Sequence, residues 1–518
     1  MLCITTDIYF SVCNSSLPWV PMGMKRRCCQ LPSFILLCAL VFLQTFRLGF
    51  CYESSKVAAG CIEAEKKALL KFKGGLTDPS FQLSSWVGDN CCAWRGVICD
   101  NRTGNVVKLK LQNPFPRSID TDGMDYELGG AISSSLLDLK YLRYLDLSKN
   151  NFEGKRVPNF FGSFSKLRYL NLSRTSFGGA IPQSLGNLSG LLYLDLSNNF
   201  IELEGKDLNW VSSLSDLRYL NLGGVDLSNV SSHWLQTINL LPSLVEIHLP
   251  QCQLLNLPPS LPSINFTALS VLKLSRNGFN STIPHWLFNL SSLSQLDLNS
   301  NNLQGRLPDT FEELISLQNL DLSQYTYLGG ELPPSLGKLC NLQTLKLSMN
   351  NISGEVTELI STLSRCNKSR LDTLDLGYNT LTGRLPNSLG YLKKLRDLQL
   401  WKNMFRGSIP NSIGNLSSLQ YLYLSDNEMS GSIPGNLGQL SSMIVLDLSE
   451  NSWQGVITET HFANLSSLKE LQMTKHSPNI SVIFKIDPRW LPPFQLRYIN
   501  IKACQLGPKF PTWLENQN

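Results

Sequence analysis

Leu142-Arg-Tyr-Leu145-Asp-Leu147-Ser-Lys-Asn150 is the stretch that decides the fold, because it recurs. The pattern Leu-x-x-Leu-x-Leu-x-x-Asn returns about every 24 residues. Copies start at Leu142, Leu167, Leu191, Leu217, Leu244, Leu269, Leu293, Leu317, Leu342, Leu371, Leu395, Leu419, Met443, Leu468 and Leu496. Within the first copy Leu145 and Leu147 alternate with Tyr144, Asp146 and Ser148. The leucines therefore lie on one face of a short strand and the other residues on the opposite face. One copy cannot bury its leucines alone, whereas copies stacked in parallel bury them as a column. Each buried Leu contributes roughly 1.5–3 kcal/mol, against a backbone ordering cost of about 1–2 kcal/mol per residue. Only a long array is stable.

A fixed period of roughly 20–29 residues with this pattern is that of a leucine-rich-repeat solenoid. The fold class is α/β, with a parallel sheet on the concave face and 3-10 or helical turns on the convex side. The ninth position closes each strand. It is Asn at 150, 199, 277, 301, 350, 379, 403, 427 and 451. An amide carries two donors and an acceptor, which suits a buried turn with unpaired backbone groups. Cys252 and Cys504 occupy the same slot and read as structural thiols, while Thr175, Val225, Tyr325 and His476 mark irregular rungs. A second pattern, Leu/Phe-x-Gly-x-Ile-Pro, follows the turn at Phe177–Pro182, Phe405–Pro410 and Met429–Pro434. Gly permits a tight bend and Pro stops a regular ladder. This form resembles plant extracellular leucine-rich repeats. The resemblance implies a second short strand on the flank and a superhelical twist.

The chain has 518 residues, 16% of them charged, and a net charge of +5. Lys25, Arg26, Arg27, Arg47 and the single acid Asp7 lie before residue 51, so removing that stretch leaves +2. A nearly neutral chain gives no reason to expect nucleic acid as a partner. Lys25-Arg26-Arg27 followed by the apolar run Phe34–Leu43 reads as a secretory signal over residues 24–55. Residues 1–23 fit no leader layout and read as an upstream extension. Twelve Asn-x-Ser/Thr sequons follow, at Asn101, Asn171, Asn187, Asn229, Asn265, Asn280, Asn289, Asn351, Asn367, Asn415, Asn464 and Asn479. With the signal they point to a secreted, oxidising setting such as the apoplast.

The fourteen cysteines divide by place. Cys61, Cys91, Cys92 and Cys99 cluster just before the repeats. A solenoid's first rung would expose its core, so residues 61–105 read as a cap stapled by disulfides, ahead of repeats over 106–518. Three pairings are open; we expect Cys61–Cys91 and Cys92–Cys99. Cys340 and Cys366 precede the strands of neighbouring repeats. Adjacent rungs are about 4.8 Å apart, which permits a bridge.

Cys61-Ile-Glu-Ala-Glu-Lys-Lys-Ala-Leu-Leu-Lys-Phe-Lys73, Leu83-Ser-Ser-Trp86, Cys91-Cys92-Ala-Trp94-Arg-Gly-Val-Ile-Cys99 and Gly104-Asn-Val-Val-Lys-Leu109 together resemble the N-terminal cap of plant leucine-rich-repeat receptors. Trp210 and Trp234-Leu-Gln-Thr-Ile-Asn-Leu-Leu-Pro-Ser-Leu244 narrow the resemblance to receptor-like proteins of the class that perceives ethylene-inducing xylanase. It covers residues 61–518. Such receptors usually carry more repeats, an island segment, a C-terminal cap, a single-pass membrane helix and a short tail, and they signal with a receptor-kinase co-receptor. No later apolar run in this sequence spans a bilayer, and no kinase motif occurs. The last residues, Glu515-Asn-Gln-Asn518, fall inside the fifteenth copy. This leads us to expect an open apolar end, as in a truncated or decoy form.

Ligand contact is expected on the concave strand positions. Tyr144, Tyr169, Tyr193 and Tyr219 form a row in four successive repeats, and Trp401, Tyr421 and Tyr423 form a second patch with Asp397 and Gln399. Glu246, His248, Lys273 and Lys346 are the charged members between them. Tyr and Trp supply large, low-entropy contact area. The tyrosines also have a structural reading, as rings that stack on each other. The Asp146, Asp195, Asp297, Asp321, Asp375 and Asp447 set reads as structural. A sequon at Asn171 lies on the same face as Tyr169.

The implied function is recognition of a protein or peptide, a microbial elicitor above all. The alternative is a secreted inhibitor of a pathogen cell-wall hydrolase resembling polygalacturonase-inhibiting proteins. An enzyme is not expected: no nucleophile elbow, P-loop, zinc-binding motif or dinucleotide fingerprint is present. Only five histidines occur, at His233, His248, His285, His461 and His476. No metal and no cofactor is implied.

Overall fold

The computed structural model describes residues 60–114, 126–199, 203–324, 327–367, 369–475, 481–507, 511–515 and 517. The expected leader, the extension before it, and Tyr325, His476 and Asn479 lie outside the described residues. An antiparallel pair, Val97–Cys99 with Val106–Lys110, starts the main sheet. From Lys108 onward every neighbour is parallel and the register is constant. Lys108, Tyr144, Tyr169, Tyr193, Tyr219 and Glu246 stand side by side on successive rungs. The ladder runs on to Tyr498–Ile501, paired with Glu470–Met473. Among the described residues it holds seventeen strands. Constant register follows from period-two side chains: a slip of one residue would turn the leucines to solvent. Leu145, Leu170, Leu194 and Leu220 are all fully buried.

The convex side is built of short 3-10 turns such as Gln183–Asn187, Asn387–Tyr391 and Asn411–Asn415. These three open after a proline whose fixed φ holds the entry extended and whose carbonyl accepts the first turn bond, as Leu185 N donates to Pro182 O at 3.1 Å. Close stacking of these turns needs glycine, since a Cβ on Gly390 would come within 2.5 Å of Ser412 O. Some rungs carry α-helices instead, Trp234–Ile238 and Val356–Arg365 among them. Flank strands are present as the plant-type resemblance implies. The longest such sheet joins Gln304–Arg306, Tyr327–Glu331, Asn351–Glu355 and Thr380–Thr382 in parallel.

The ninth-position amides tie rung to rung. Asn403 Nδ2 donates to Leu400 O in its own rung (3.2 Å) and to Leu376 O in the rung before (3.0 Å). Its Oδ1 accepts from Leu381 N at 3.0 Å. Asn199, Asn277, Asn301, Asn379, Asn427 and Asn451 repeat this arrangement. Cys252 fills the slot with a weaker donor, its thiol 3.2 Å from Leu222 O, and burial pushes that thiol up to about 12. It is inert at neutral pH. Thr175 does the same with its hydroxyl, 2.6 Å from Leu172 O. The residue before the slot is left-handed in rung after rung, for example Lys149 (φ 59°), Arg174 (φ 53°), Lys402 (φ 56°) and Glu450 (φ 50°). A non-glycine residue there costs roughly 1–2 kcal/mol. The conformation aims its N–H at the next rung, as Lys402 N donates to Ser425 O at 2.8 Å.

The cap is a helix, Glu63–Gly74, that buries Leu69 and Phe72. Trp86 and Trp94 stack at 5.5 Å beside it, and Ser135 Oγ donates to Ala68 O at 2.9 Å to join the first turn to the helix. Disulfides link Cys61 to Cys91 and Cys92 to Cys99. Three of these sulfurs lie close together, but all are oxidised, so they offer no thiolate to a metal. Glu65 is buried and accepts from Val106 N at 2.7 Å, and burial raises its pKa. A third disulfide, Cys340–Cys366, ties the 3-10 turn Pro334–Lys338 to the end of helix Val356–Arg365.

Helix Thr512–Glu515 buries Trp513, whose ring lies 6.1 Å from Phe462 and 6.4 Å from Trp490. Leu491, Tyr498 and Ile499 stay exposed at 72%, 47% and 38%. Among the described residues no helix is long and apolar enough to cross a membrane.

Asn403→Ala removes one of two amide donors to each of the Leu376 and Leu400 carbonyls, which Asn379 and Asn427 also serve, and takes the acceptor from Leu381 N. It should lower unfolding free energy by about 2 kcal/mol, measured by urea denaturation. Cys252→Ala removes only a weak donor and should cost clearly less.

Candidate functional site

The concave face is the outer surface of the parallel sheet. Its side chains are those that alternate with the buried leucines, so backbone register alone places them in columns. The tyrosine row is a continuous stack. Ring centroids are 4.0, 4.2 and 4.1 Å apart from Tyr144 through Tyr219, with planes within 12° of parallel. His248 extends it at 5.0 Å, and Lys108 Nζ sits 5.8 Å from the Tyr144 ring at the other end. The faces are thus spent on each other, leaving edges and hydroxyls outward. Burial, and then neighbouring hydroxyls and carboxylates, push the Tyr144 and Tyr193 phenols far up. They remain neutral donors.

Asn171 sits inside this row. Its Oδ1 accepts from Ser173 N and Oγ at 2.9 and 2.7 Å, and its Nδ2 lies 3.4 Å from the Tyr169 hydroxyl. The column of Asp residues does the same turn-closing work: Asp146 accepts from Ser148, Asp321 from Ser323 and Asp447 from Ser449. Its members are structural in this sense. Asp195, Asp297 and Asp375 have raised pKa values because burial strips water from their charge.

Glu246 and His248 are brought together, with Nε2 and Oε2 3.0 Å apart. Burial lowers the His248 pKa, and Glu246 partly opposes it. Lys273 pairs beside His248 in the ladder and Lys346 beside Asp375. Tyr421 and Tyr423 stand beside Asp397 and Gln399 on the next rung. Gln399 Nε2 donates to Asp397 Oδ2 at 2.9 Å, whereas Asp397 Oδ1 is enclosed and has no donor. Trp401 turns away toward the preceding rung. It covers Gly377, where a Cβ would approach Trp401 Nε1 to 2.3 Å, and meets the Tyr378 ring edge-on at 5.9 Å. Lys402 Nζ caps Tyr378 at 4.4 Å. Sequence reading missed Tyr378 and Lys402; the signal was Gly377, a glycine where most rungs have serine.

Sequons fall mainly elsewhere. Asn187, Asn289 and Asn415 are exposed at the ends of convex 3-10 turns, and Asn464 is exposed in the same position. Asn280 and Asn351 are exposed on the flank beyond the ninth-position turn, and Asn101, Asn229 and Asn367 are exposed in turns. Asn265 is half-buried, its Nδ2 donating to Asn239 O at 3.0 Å.

This geometry, a capped plant-type solenoid with an uncovered concave sheet, defines a class of ligand-binding ectodomain. Residues 62–100 match the family described as Leucine rich repeat N-terminal domain, and residues 366–518 match Leucine-rich repeat region. The chain is 38% identical to Receptor-like protein EIX1 of Solanum lycopersicum over 95% of its own length and 52% of that protein's. It is 37% identical to Receptor-like protein EIX2 of the same plant, over 88% and 49%. The chain belongs to the plant leucine-rich-repeat receptor-like proteins and spans about half the length of these curated relatives. Among solved structures it resembles the Arabidopsis receptor kinase HAESA ectdomain in complex with an IDA peptide hormone, with TM-score 0.62, 27% identity, and 85% and 78% of the two chains covered. It also resembles PEPR1–AtPEP1, with TM-score 0.55, 25% identity, and 86% and 69% covered. These relatives are receptor ectodomains, a non-enzymatic kind of protein.

The Glu246–His248 pair generates a pH prediction. The folded pKa of His248 lies below its unfolded value near 6.5, so its contribution to stability is full above that value and declines as pH falls toward the folded pKa. His248→Gln lacks this decline. The stability advantage of the native chain over His248→Gln, measured by urea unfolding from pH 7.5 downward, should shrink as the solution is acidified.

Proposed function

We propose that this chain is the ligand-reading part of an extracellular plant receptor for pathogen elicitors. It binds a protein or peptide on its concave sheet and signals only through partners, a receptor-kinase co-receptor among them. The observation that carries this is the contrast within each rung. Inward positions repeat as leucine, while outward positions vary from Tyr144 to Lys346 to Tyr421 on one rigid, solvent-facing ladder. A surface that varies on an invariant scaffold suits recognition.

Other features support the reading. The relatives are receptor-like proteins, and the neighbour HAESA was solved with a peptide hormone and the co-receptor SERK1. Residues 24–55 serve as a leader in this proposal, 61–105 as the cap and 106–518 as the array. The sequons carry glycans in the apoplast, mostly on the convex and flank surfaces. A glycan at Asn171 would cover the tyrosine row and shift contact toward Lys273, Lys346 and the patch from Asp397 to Tyr423.

The test is surface plasmon resonance on the full chain secreted from plant cells, with ethylene-inducing xylanase as the first analyte and other microbial elicitor proteins after it. Tyr421→Ala with Tyr423→Ala should weaken binding at least about tenfold, the effect of losing roughly 1.4 kcal/mol or more at a hot spot. Tyr391→Ala, 69% exposed at the end of a convex turn, should leave it unchanged. Binding that survives the concave pair and is lost with convex substitutions would overturn the proposal.

A further inference from the structure

Three sequons share one position in the fold. Asn187, Asn289 and Asn415 each end a convex 3-10 turn, Gln183–Asn187, His285–Asn289 and Asn411–Asn415. What stands before them differs. Ahead of Asn187 the turns pack so closely that a Cβ on Gly162 would collide with Ser184 O. Ahead of Asn415 a Cβ on Gly390 would come within 2.5 Å of Ser412 O. Neither pair of turns leaves room between them.

The rung before Asn289 has no such turn. From residue 253 to residue 268 it holds neither a 3-10 turn nor an α-helix. Pro258, Pro259 and Pro262 fall in this segment, and a proline has no N–H with which to close a turn. The segment is instead pinned from both sides. Asn239 of the preceding rung donates Nδ2 to Ser263 O at 2.8 Å, and its Oδ1 accepts from Asn265 N at 3.0 Å. Trp286 of the following turn donates Nε1 to Pro258 O at 2.9 Å.

Where a turn would fill the convex side, a cleft of about 560 Å³ remains. Sites for small ligands span roughly 300–1,000 Å³. Leu261, Pro262 and Ile264 give the cleft an apolar wall, Thr267 and Ser292 add hydroxyls, and Asn289 itself lines it. Asn289 is exposed. Asn265, the other sequon on this segment, is half-buried, and its Nδ2 is turned to Asn239 O on the preceding rung.

We propose that this cleft seats the first sugars of an N-linked glycan carried by Asn289. The occupant is named by its anchor, because a sugar on the Asn289 amide starts at the cleft wall. N-acetylglucosamine suits the lining: its ring C–H face and acetyl methyl are apolar, and its hydroxyls and acetamide form hydrogen bonds. Attachment joins Asn289 Nδ2 to C1 of the sugar. The C1–oxygen bond to a lipid diphosphate carrier breaks, the diphosphate leaves with the electron pair, and the displaced amide proton goes to solvent. The inference rests on the reading of the chain as secreted and glycosylated, and it adds where one glycan lies.

Glycopeptide mass spectrometry of the full secreted chain tests it. The chain is made in plant cells with a mannosidase inhibitor, which keeps every glycan oligomannose. It is then treated, without denaturation, with an endoglycosidase that cuts between the first two sugars. A seated core is cut only during the fraction of time it spends outside the cleft. Release at Asn289 should be at least about tenfold slower than at Asn187 and Asn415, and denaturation should abolish the difference. Leu261→Ala with Pro262→Ala should speed release at Asn289 and leave release at Asn187 unchanged. Equal release at the three sites of the native chain overturns the proposal, as does slow release that persists in that variant. An empty Asn289 beside occupied Asn187 and Asn415 overturns it too, while the secreted reading stands. If every sequon is empty, the secreted reading falls and this inference with it.

Discussion

The side-chain amide at the ninth position of each repeat is the interaction on which the rest depends. Burying a strand–turn boundary strands backbone groups that water can no longer reach. One asparagine answers for both its own rung and the one before, as Asn451 does by donating to Leu448 O and Leu424 O and accepting from Met429 N. That bond sets how far apart successive turns stand. It also holds the left-handed residue before it, such as Glu450, in a conformation that an isolated turn would leave. Because each amide spans two rungs, stability passes along the array by nearest neighbours.

The leucine columns and the amide ladder together make a rigid face whose outward residues are free to vary. In the first rungs the tyrosines spend their faces on each other, so their outward contribution is a line of edges and neutral hydroxyls. Toward the other end Trp401 closes over Gly377 and leaves Tyr421 and Tyr423 as the outward aromatics among carboxylates. The same scaffold thus presents two chemically different zones, the second of which is sequon-free on its strands.

Much of this was legible in the sequence because it is periodic. The strand positions, the amide slot, the two thiols within it and the stapled cap all follow from spacing and side-chain chemistry. What was not legible depends on contacts across rungs. The helix Val356–Arg365 replaces a 3-10 turn although its repeat looks ordinary at the strand, because its extra residues must be accommodated on the convex side. Trp401 was grouped with Tyr421 and Tyr423 by proximity in the pattern, but the missing side chain at Gly377 draws it the other way. Glu65, a charged residue of the cap helix, is buried, where it accepts from Val106 N. Trp513, which belongs to no repeat motif, packs its ring beside Phe462 and Trp490.

Hydrogen exchange on the full secreted chain tests the amide ladder most directly. The N–H groups of Leu381, Phe405 and Met429 lie outside the main sheet and donate to asparagine side chains of the next rung. The ladder predicts that they exchange as slowly as the strand amides of Leu398 and Leu422. Exchange at the rate of exposed turn amides would show that the asparagines do not hold the rungs together.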